Sequence, residues 1–327
     1  MTTFRRPGTA TKRLMFFAGG AHPELADHIA VGLGTSITPQ TAHTFANGES
    51  FVRFDNSVRG CDAFVLQAHT TPINSWLMEH LIMVDALKRA SAKRITVVLP
   101  FYPYGRQDKK HSGREPISAR LVADLLTTAG VDRIMTVDLH TSQTQGFFNG
   151  PVDHLLAQPL LATHVKQRYA GAEITVVAPD SGRVKLAEKW AELLGGHPIA
   201  FIQRRNALSD EHEGTNLVVG DVRGRLCVIV DDMIDTAATM AGATRLLLAE
   251  GASDVVAAAT HGVLSEGATE RLVHSGIREV VLTNTLPIPE EKRFPQLSIL
   301  SIAPLLARAM GEVFEGGSVT SLFEGDA

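Results

Sequence analysis

Two adjacent carboxylates and a run of hydroxyl and amide groups follow the apolar segment Leu226–Val230. The carboxylates are Asp231 and Asp232, and the residues that then lead into a helical pattern are Asp235, Thr236, Ala237, Ala238 and Thr239. Carboxylates accept hydrogen bonds from sugar hydroxyls, and amides and hydroxyls at a helix N-terminus form a cradle for an anion. The pattern predicts a sugar-phosphate site; the alternative is that Asp232 or Asp235 only caps the next helix.

Two other predicted strands end in residues suited to the same chemistry. Asp180 follows the apolar run Ile174–Ala178, and His140 follows Ile134–Val137. A carboxylate and an imidazole at neighbouring strand ends can share a divalent cation, and Mg²⁺ with a phosphate is the expected one. The alternative for a single histidine after a strand is a structural role.

The segment Pro100–Pro116 concentrates Arg, Lys, His and Asp residues beside aromatic rings. Arg and Lys bind polyphosphate, and Tyr or Phe can stack on a base. Because the chain as a whole carries a net charge of −4, this local basic cluster predicts an anion-binding loop, with a solvated loop as the alternative. The Asn-Gly pair within Phe45–Glu49 predicts a turn and, by itself, nothing more.

Apolar runs that alternate with helical patterns predict the elements that position these residues. This alternation is typical of parallel α/β sheets, in which ligands bind beyond the carboxyl ends of the strands. The predicted strands are Leu14–Ala18, Ala63–Ala68, Ile95–Leu99, Ile134–Val137, Ile174–Ala178, Pro198–Ile202, Leu226–Val230, Val255–Ala259, Val280–Thr283 and Leu297–Ile302. The predicted helices are Trp76–Arg89, Ile117–Thr128, Val184–Leu194, Met240–Glu250, Glu266–Ser275 and Pro304–Phe314.

The length of 327 residues predicts two domains, since a domain typically has about 150 residues. The least regular stretch near the midpoint, Phe147–Gln158, is the predicted boundary. We expect an N-terminal domain over residues 1–156 and a C-terminal domain over 157–311, with the tail 312–327 packed on the first domain.

The composition excludes several classes of protein. A hydrophobic content of 44% excludes a disordered chain, and the slightly acidic balance argues against a general nucleic-acid binder. Cys61 and Cys227, without a CxxC pair, argue against a disulfide framework or a thiolate metal site. Apolar runs are too short for a membrane helix, so we expect a soluble cytoplasmic protein with no membrane partner.

Taken together, these segments resemble the ribose-phosphate pyrophosphokinase (PRPP synthetase) family, in its actinobacterial class I type. The resemblance extends in order from about Leu14 to the C-terminus. The segments that carry it are FANGES at Phe45–Ser50, SVRGCDAFVLQ at Ser57–Gln67, LIMVDALKRASAKRI at Leu81–Ile95, PYGRQDKK at Pro103–Lys110, GREPISARL at Gly113–Leu121, VDLHTSQTQGFF at Val137–Phe148, PDSGRVK at Pro179–Lys185, VDDMIDTAAT at Val230–Thr239, THGVLS at Thr260–Ser265, TNTLP at Thr283–Pro287 and SVTSLF at Ser318–Phe323.

The resemblance implies two phosphoribosyltransferase-like α/β domains, each a mostly parallel sheet flanked by helices. It implies a reaction of ribose 5-phosphate with ATP, in which the sugar 1-hydroxyl attacks the β-phosphorus and gives 5-phosphoribosyl 1-diphosphate and AMP. It also implies Mg²⁺ and a homo-oligomer, a hexamer built from dimers.

Positions carry over from the family motifs residue by residue. The residues expected to contact ATP are Phe45, Asn47, Gly48 and Glu49, from an adjacent subunit, together with Arg106 and Gln107. His140 and Asp180 are expected at Mg²⁺. Ribose 5-phosphate is expected at Asp231 and at the loop Asp235–Thr239, which includes Thr236, Ala237 and Ala238.

Departures from the family pattern cluster at the residues that are expected to carry the chemistry. The family has a catalytic Lys-x-Arg after the strand that ends here at Ile202, and this chain has Gln203-Arg204-Arg205-Asn206. One alignment puts Arg204 at the Lys position and a one-residue shift puts Arg205 at the Arg position, so both are candidate catalytic residues; Arg does not replace the compact ammonium of Lys. Ala238 stands at a usual glycine, where a methyl can crowd the phosphate or oppose a positive φ.

These departures leave two alternatives to the enzyme open. The chain can be a divergent paralogue of low or no activity that acts as a regulatory subunit of a PRPP synthetase assembly. A nucleobase phosphoribosyltransferase is the other alternative, and it would share only the Asp231–Thr239 loop.

Overall fold

The computed structural model describes residues 12–203 and 216–323. In chain order, the elements of the first half are β1 (Leu14–Ala18), α1 (Pro23–Gly32), β2 (Gln40–Thr44), β3 (Ser50–Phe54), β4 (Asp62–Leu66), α2 (Ile73–Arg89), β5 (Arg94–Leu99), α3 (Ser118–Ala129), β6 (Arg133–Val137) and β7 (Val152–Leu155). Those of the second half are α4 (Gln158–Arg168), β8 (Ile174–Ala178), α5 (Val184–Leu194), β9 (Ile199–Gln203), β10 (Leu217–Val219), β11 (Leu226–Ile234), α6 (Ala238–Ala249), β12 (Asp254–Gly262), α7 (Ala268–Val273), β13 (Glu279–Thr283), β14 (Leu297–Leu300) and α8 (Ala303–Glu315).

The chain forms two compact units, each built from more than one stretch of the sequence. Unit 1 comprises Met1–Thr136, Thr141–Asp153 and Ala303–Ala327, and unit 2 comprises Val137–His140 and His154–Ile302. The tetrapeptide Val137–His140 therefore belongs to unit 2 although it lies before residue 156, and α8 belongs to unit 1 from its first residue.

A five-stranded sheet in the order β1-β4-β5-β6-β7 forms the framework of unit 1. The pairs β1–β4, β4–β5 and β5–β6 are parallel. A separate antiparallel hairpin of β2 and β3 completes the unit's strands among the described residues. Strand β4 is buried along its whole length, which explains why its sequence is apolar after Asp62.

Helix α8 packs against α1 in unit 1. Gly32, the last residue of α1, permits this close approach: a Cβ at that position would lie 2.8 Å from the Cβ of Ala307. A side chain there would push the two helices apart.

Unit 2 is built on a seven-stranded sheet in the order β10-β9-β8-β11-β12-β13-β14. Every neighbouring pair is parallel except β9 and β10, which are antiparallel. Its core includes one face of α6 and the buried residues of β11 and β12. Both sheets are mostly parallel and flanked by helices, so the predicted fold class is confirmed.

All ten predicted strands and all six predicted helices are present, with shifted ends in most cases. Six elements were not predicted from the sequence, namely α1, β2, β3, β7, α4 and β10. Strand β3, for example, buries one of its five residues, so its sequence resembles that of a loop. Within the described ranges no helix has the length and apolar character needed to cross a membrane, and Cys61 and Cys227 are buried free thiols.

Candidate active site

Asp231 and Asp232 lie within strand β11, which continues to Ile234 instead of ending at Val230 as predicted. Asp232 is buried, and Asp231 is largely so. Because Asp232 is in the strand and bonds to other side chains, the interpretation that it caps the next helix is wrong.

Arg183 holds both carboxylates. Its Nε lies 2.7 Å from Asp231 Oδ1, and its Nη2 lies 2.5 Å from Asp232 Oδ1. Arg183 follows β8, which is the parallel neighbour of β11, so the residues after β8 reach the carboxyl end of β11. The topology of the sheet thus brings the guanidinium to the acidic pair.

His140 joins the same cluster through Asp232. Its Nδ1 lies 2.7 Å from Asp232 Oδ2, and since a carboxylate accepts, Nδ1 carries the proton. Arg183 Nη2 is 3.1 Å from the same nitrogen, but with both groups as donors this is a contact and not a hydrogen bond. Nε2 of His140 then holds the free lone pair, and it has no hydrogen bond within the described residues.

The pKa values of the two carboxyls move in opposite directions. Burial raises the pKa of Asp231 to about 8, with the adjacent Asp232 adding to the shift. Burial also acts to raise the pKa of Asp232, but hydrogen bonds from His140 and Asp231 and the charge of Arg183 outweigh it and hold that pKa well below its usual range. The two groups titrate as a pair, with the negative charge centred on Asp232, between Arg183 and His140.

A buried polar network fixes the segment that carries His140. Asp138 Oδ2 accepts hydrogen bonds from the backbone N–H of Ala157 (2.9 Å) and from the Thr260 hydroxyl (2.6 Å). His261 Nε2 lies 3.0 Å from the carbonyl oxygen of Asp138, and the N–H of Leu139 donates to His154 Nε2 at 2.9 Å. These partners hold the backbone on both sides of Asp138, which has a positive φ of 36°, and so orient the imidazole that follows.

The loop Asp235–Thr239 is held from the segment that follows β12. The Ser265 hydroxyl donates to Asp235 Oδ1, and Arg271 Nη1 donates to the carbonyl oxygen of Thr236 at 2.8 Å. The left-handed residue is Ala237, with φ +59°, and α6 begins at Ala238. The methyl group at the usual glycine, Ala238, is thus on an exposed helical residue, and the expected conflict with a positive φ applies one position earlier.

Asp180 begins the short helical turn that carries Arg183. Its Oδ1 accepts from the N–H of Gly182 at 2.8 Å, and its Oδ2 has no hydrogen bond within the described residues. Arg183, three residues later, contacts His140, so the Asp180 turn adjoins the imidazole. In the parts of the chain that the structure describes, no three His, Cys, Asp or Glu side chains form a group able to hold a metal ion.

The predicted turn at Phe45–Glu49 is confirmed as the tip of the β2–β3 hairpin. Gly48 has φ +91°, and Glu49 N–H donates to Asn47 Oδ1 at 3.2 Å. Phe45 is 48% exposed, and its ring centroid lies 4.8 Å from that of His43. The hairpin therefore presents an aromatic face to its surroundings.

Arg106 and Gln107 are exposed residues of the loop after β5 in unit 1. The carbonyl oxygen of Gln107 accepts from the N–H of Ala119 at 3.1 Å, which ties the loop to α3. Tyr102, a candidate for stacking on a base, is buried, and its hydroxyl donates to the carbonyl oxygen of Ala119 at 2.9 Å. Tyr102 is therefore a structural residue of the loop.

The candidate catalytic residues Arg204 and Arg205 lie outside the described residues. No role is predicted for Arg183 from the sequence, although it lies at the centre of the cluster. The signal was present in its spacing: Arg183 is the fifth residue after β8, on a turn started by Asp180. Ser265 and Arg271 carried no comparable signal, because they reach the loop Asp235–Thr239 only through tertiary folding.

Comparisons with known proteins cover nearly the whole chain. Profiles for the N-terminal domain of ribose phosphate pyrophosphokinase and for the phosphoribosyl synthetase-associated domain match residues 14–130 and 202–324. Ribose-phosphate pyrophosphokinases of Mycobacterium leprae (strain TN) and Corynebacterium glutamicum are 64% and 60% identical over 317 residues, which is 97% of this chain and 97% of each of those proteins.

A solved structure extends the likeness to the backbone. The crystal structure of phosphoribosylpyrophosphate synthetase from Mycobacterium smegmatis is 65% identical and superimposes with a TM-score of 0.90, covering 94% of this chain and 100% of that one. Sequence and fold agree along the chain, and the chain therefore belongs to the ribose-phosphate pyrophosphokinase family.

Proposed function

We propose that this chain transfers the diphosphoryl group of ATP to the 1-hydroxyl of ribose 5-phosphate, giving 5-phosphoribosyl 1-diphosphate and AMP. The 1-hydroxyl oxygen bonds to the β-phosphorus, and the bond from that phosphorus to the oxygen shared with the α-phosphorus breaks. AMP leaves with that oxygen, and the hydroxyl proton passes to solvent. The near full-length relatives carry the name of this enzyme, and nothing in them favours a regulatory subunit.

The observation that carries the proposal for the sugar is the cluster at the end of β11. Asp231 and Asp232 offer carboxylate oxygens for sugar hydroxyls. A few residues later, the loop Asp235–Thr239 offers backbone amides and two threonine hydroxyls at the start of α6, where an anion such as the 5-phosphate is stabilised. The two groups together suit a ligand that has hydroxyls and a phosphate.

Mg²⁺ fits the donors at His140 and Asp180. The hydrogen bond from Nδ1 to Asp232 leaves the lone pair of His140 on Nε2, and a carboxylate that orients a histidine in this way is a common partner behind a metal ligand. Asp180 adds a carboxylate oxygen without a hydrogen bond. When bound, Mg²⁺ would neutralise charge on the phosphate oxygens, and water and phosphate would complete its coordination.

The remaining contacts are proposed from the resemblance to the family. ATP contacts are assigned to Phe45, Asn47, Gly48, Glu49, Arg106 and Gln107, with the hairpin residues supplied by an adjacent subunit of a dimer-based hexamer. Arg204 and Arg205 are assigned to charge on the transferred group, where fixed cations contribute most of the catalysis. We place the protein in the cytoplasm, where free thiols such as Cys61 and Cys227 persist.

Product analysis tests the proposal. Purified chain is mixed with ribose 5-phosphate, ATP and Mg²⁺, and the nucleotide products are separated while ³¹P NMR follows the sugar. We expect AMP and a new diphosphate on C1 in equal amounts. ADP as the product would point to a simple kinase, and nucleotide binding without turnover would favour the regulatory subunit.

A further inference from the structure

Arg183 is the one lysine or arginine among the described residues that forms an ion pair with the acidic pair of β11. Its Nε and Nη2 bond to different carboxylates, at 2.7 Å to Asp231 and 2.5 Å to Asp232. Its side chain is 20% exposed, against 16% and 7% for the two carboxylates. A guanidinium in this position is a fixed component of the site and not a mobile surface charge.

The planar fork of arginine does what one lysine cannot do at this position. Two neighbouring carboxyl groups in a largely buried site repel each other when both are ionised, and a single ammonium would bond closely to only one of them. The guanidinium presents donors in two directions at once, so it sets the distance between Asp231 and Asp232. It also leaves Asp232 Oδ2 free to accept from His140 at 2.7 Å.

Removal of this cation would change which ligand the carboxylates prefer. Two adjacent carboxylates beside an imidazole form a donor set that attracts a divalent cation. With Arg183 in place, the positive charge is already present, and the remaining lone pairs are suited to neutral hydrogen-bond donors such as sugar hydroxyls.

We propose that Arg183 is the positioning residue of the sugar site, which orients Asp231 and Asp232 toward ribose hydroxyls and keeps a free divalent cation from binding between them. The inference rests on the proposed function in one respect, the assignment of Asp231 to ribose 5-phosphate. Arg183 acts through the carboxylates that it contacts, so its effect is on ribose 5-phosphate binding and on cation selectivity.

The test compares Arg183→Gln and Arg183→Lys with a matched control. Arg225 directly precedes β11, at the end of the strand opposite to the acidic pair. Its Nη1 is 2.9 Å from Glu173 Oε2, so Arg225→Gln removes an ion-paired arginine from the same unit. Binding of ribose 5-phosphate alone is measured by calorimetry without metal or nucleotide. Binding of Mn²⁺ alone is measured by electron paramagnetic resonance, and kcat and both KM values are measured with Mg²⁺.

We expect Arg183→Gln to weaken ribose 5-phosphate binding about tenfold or more, as for other residues that orient ligand-binding groups. The KM for ATP should stay within about twofold, and the variant should bind one Mn²⁺ per chain more than the wild type. Adding Asp232→Asn should remove that extra ion. Arg183→Lys should restore part of the sugar affinity and suppress the extra ion, and Arg225→Gln should change neither.

Unchanged ribose 5-phosphate affinity in Arg183→Gln, or no additional Mn²⁺, would overturn the inference. An equal rise of both KM values would do the same, because it would indicate a general structural defect. If Arg183→Gln does not fold, Arg183→Lys decides: wild-type sugar affinity together with wild-type KM values would contradict a need for the two-way fork. Wild-type chain that fails to form AMP would reject the proposed function, whereas the two binding measurements judge Arg183 without turnover.

Discussion

The acidic cluster at the end of β11 and a pair of histidines near the end of β4 are both buried ionisable groups, but they differ in whether they carry charge. In unit 2, Asp232 bonds to both Arg183 and His140, so its charge is matched within the site. In unit 1, His69 and His80 are buried with their ring centroids 5.5 Å apart, and no charged partner is paired with them among the described residues.

The histidine pair is held in its neutral form by burial. Burial, offset only in part by a hydrogen bond with the backbone of Phe101, lowers the pKa of His69 to about 4. His80 Nε2 lies 3.2 Å from the carbonyl oxygen of Val65, so Nε2 carries the proton, and burial together with His69 holds the pKa of His80 well below its usual value. Charged groups with partners of opposite charge mark a site for chemistry here, whereas neutral imidazoles that have only backbone partners mark a packed core.

The largest expected effect comes from Asp232→Asn. The substitution removes the charge that fixes the His140 proton on Nδ1, so we expect kcat to fall about 100-fold, near the upper end for residues that orient a ligand group. Glu279→Gln is a matched control, since Glu279 Oε1 lies 3.1 Å from His164 Nε2 in the same unit. If both variants lost the same activity, the loss would reflect general damage to unit 2, and the contrast drawn for the β11 cluster would fail.

The next effect in size comes from Asp231→Ala. Loss of a carboxylate that accepts sugar hydroxyls should raise the Kd for ribose 5-phosphate about 10-fold or more, without unfolding the protein. Calorimetric titration with the sugar and with ATP measures both affinities, and ATP affinity should be unchanged. An unaltered Kd for ribose 5-phosphate would show that the sugar binds elsewhere.

The histidine pair should make the protein less stable in acid. A pKa that falls from 6.5 in the unfolded chain to about 4 in the folded one means that the unfolded state takes up protons first, so stability is intact above pH 6.5 and is lost as the pH falls toward 4. At pH 5, His69 alone should cost about 2 kcal/mol of unfolding free energy. Urea denaturation at pH 7.5 and pH 5 measures the difference.

His69→Gln isolates this contribution. The variant should lose about 2 kcal/mol less than the wild type between the two pH values, whatever its stability at pH 7.5. His274→Gln, on an exposed histidine of the described chain, is the control. Equal pH dependence in wild type and His69→Gln would remove His69 from the account of acid sensitivity.

The last comparison distinguishes the two alanines of the loop Asp235–Thr239. Ala237→Val places a branched side chain on a buried residue at φ +59° and should lower the unfolding free energy by about 2 kcal/mol. Ala238→Val, on an exposed residue in the first turn of α6, should change it by about 0.5 kcal/mol or less. Thermal denaturation measures both changes. A larger loss of unfolding free energy for Ala238→Val than for Ala237→Val would show that the steric conflict lies at Ala238, the usual glycine position.

Buried strands and the residues that follow them were predictable from the sequence. Apolar runs such as those of β8 and β11 mark the sheet, and Asp180, His140 and Asp231 follow apolar runs on the side toward the carboxyl ends of the strands, where ligands bind in parallel sheets. The hairpin of β2 and β3 was not predictable, because a strand pair with little burial has no apolar pattern to detect.

The contacts among the side chains of the cluster also could not be predicted from the sequence. The pattern Asp-Ser-Gly-Arg does not show which strand lies beside β8, so the ion pairs of Arg183 became visible only with the strand order. The positive φ of Ala237 depends on where α6 begins, and that boundary is among the least predictable features of a sequence.

The tetrapeptide Val137–His140 determines how this enzyme can be taken apart. It is separated along the chain from the rest of unit 2 by a stretch of unit 1, so a recombinant fragment that starts at residue 154 would have a β11 cluster without an imidazole. A fragment that keeps the tetrapeptide must also carry Thr141–Asp153 as a dangling insertion. Expression of unit 2 on its own therefore calls for a rearranged gene in which a linker replaces Thr141–Asp153, because Asp138 pairs with Leu155 in a parallel register and parallel segments cannot be joined directly.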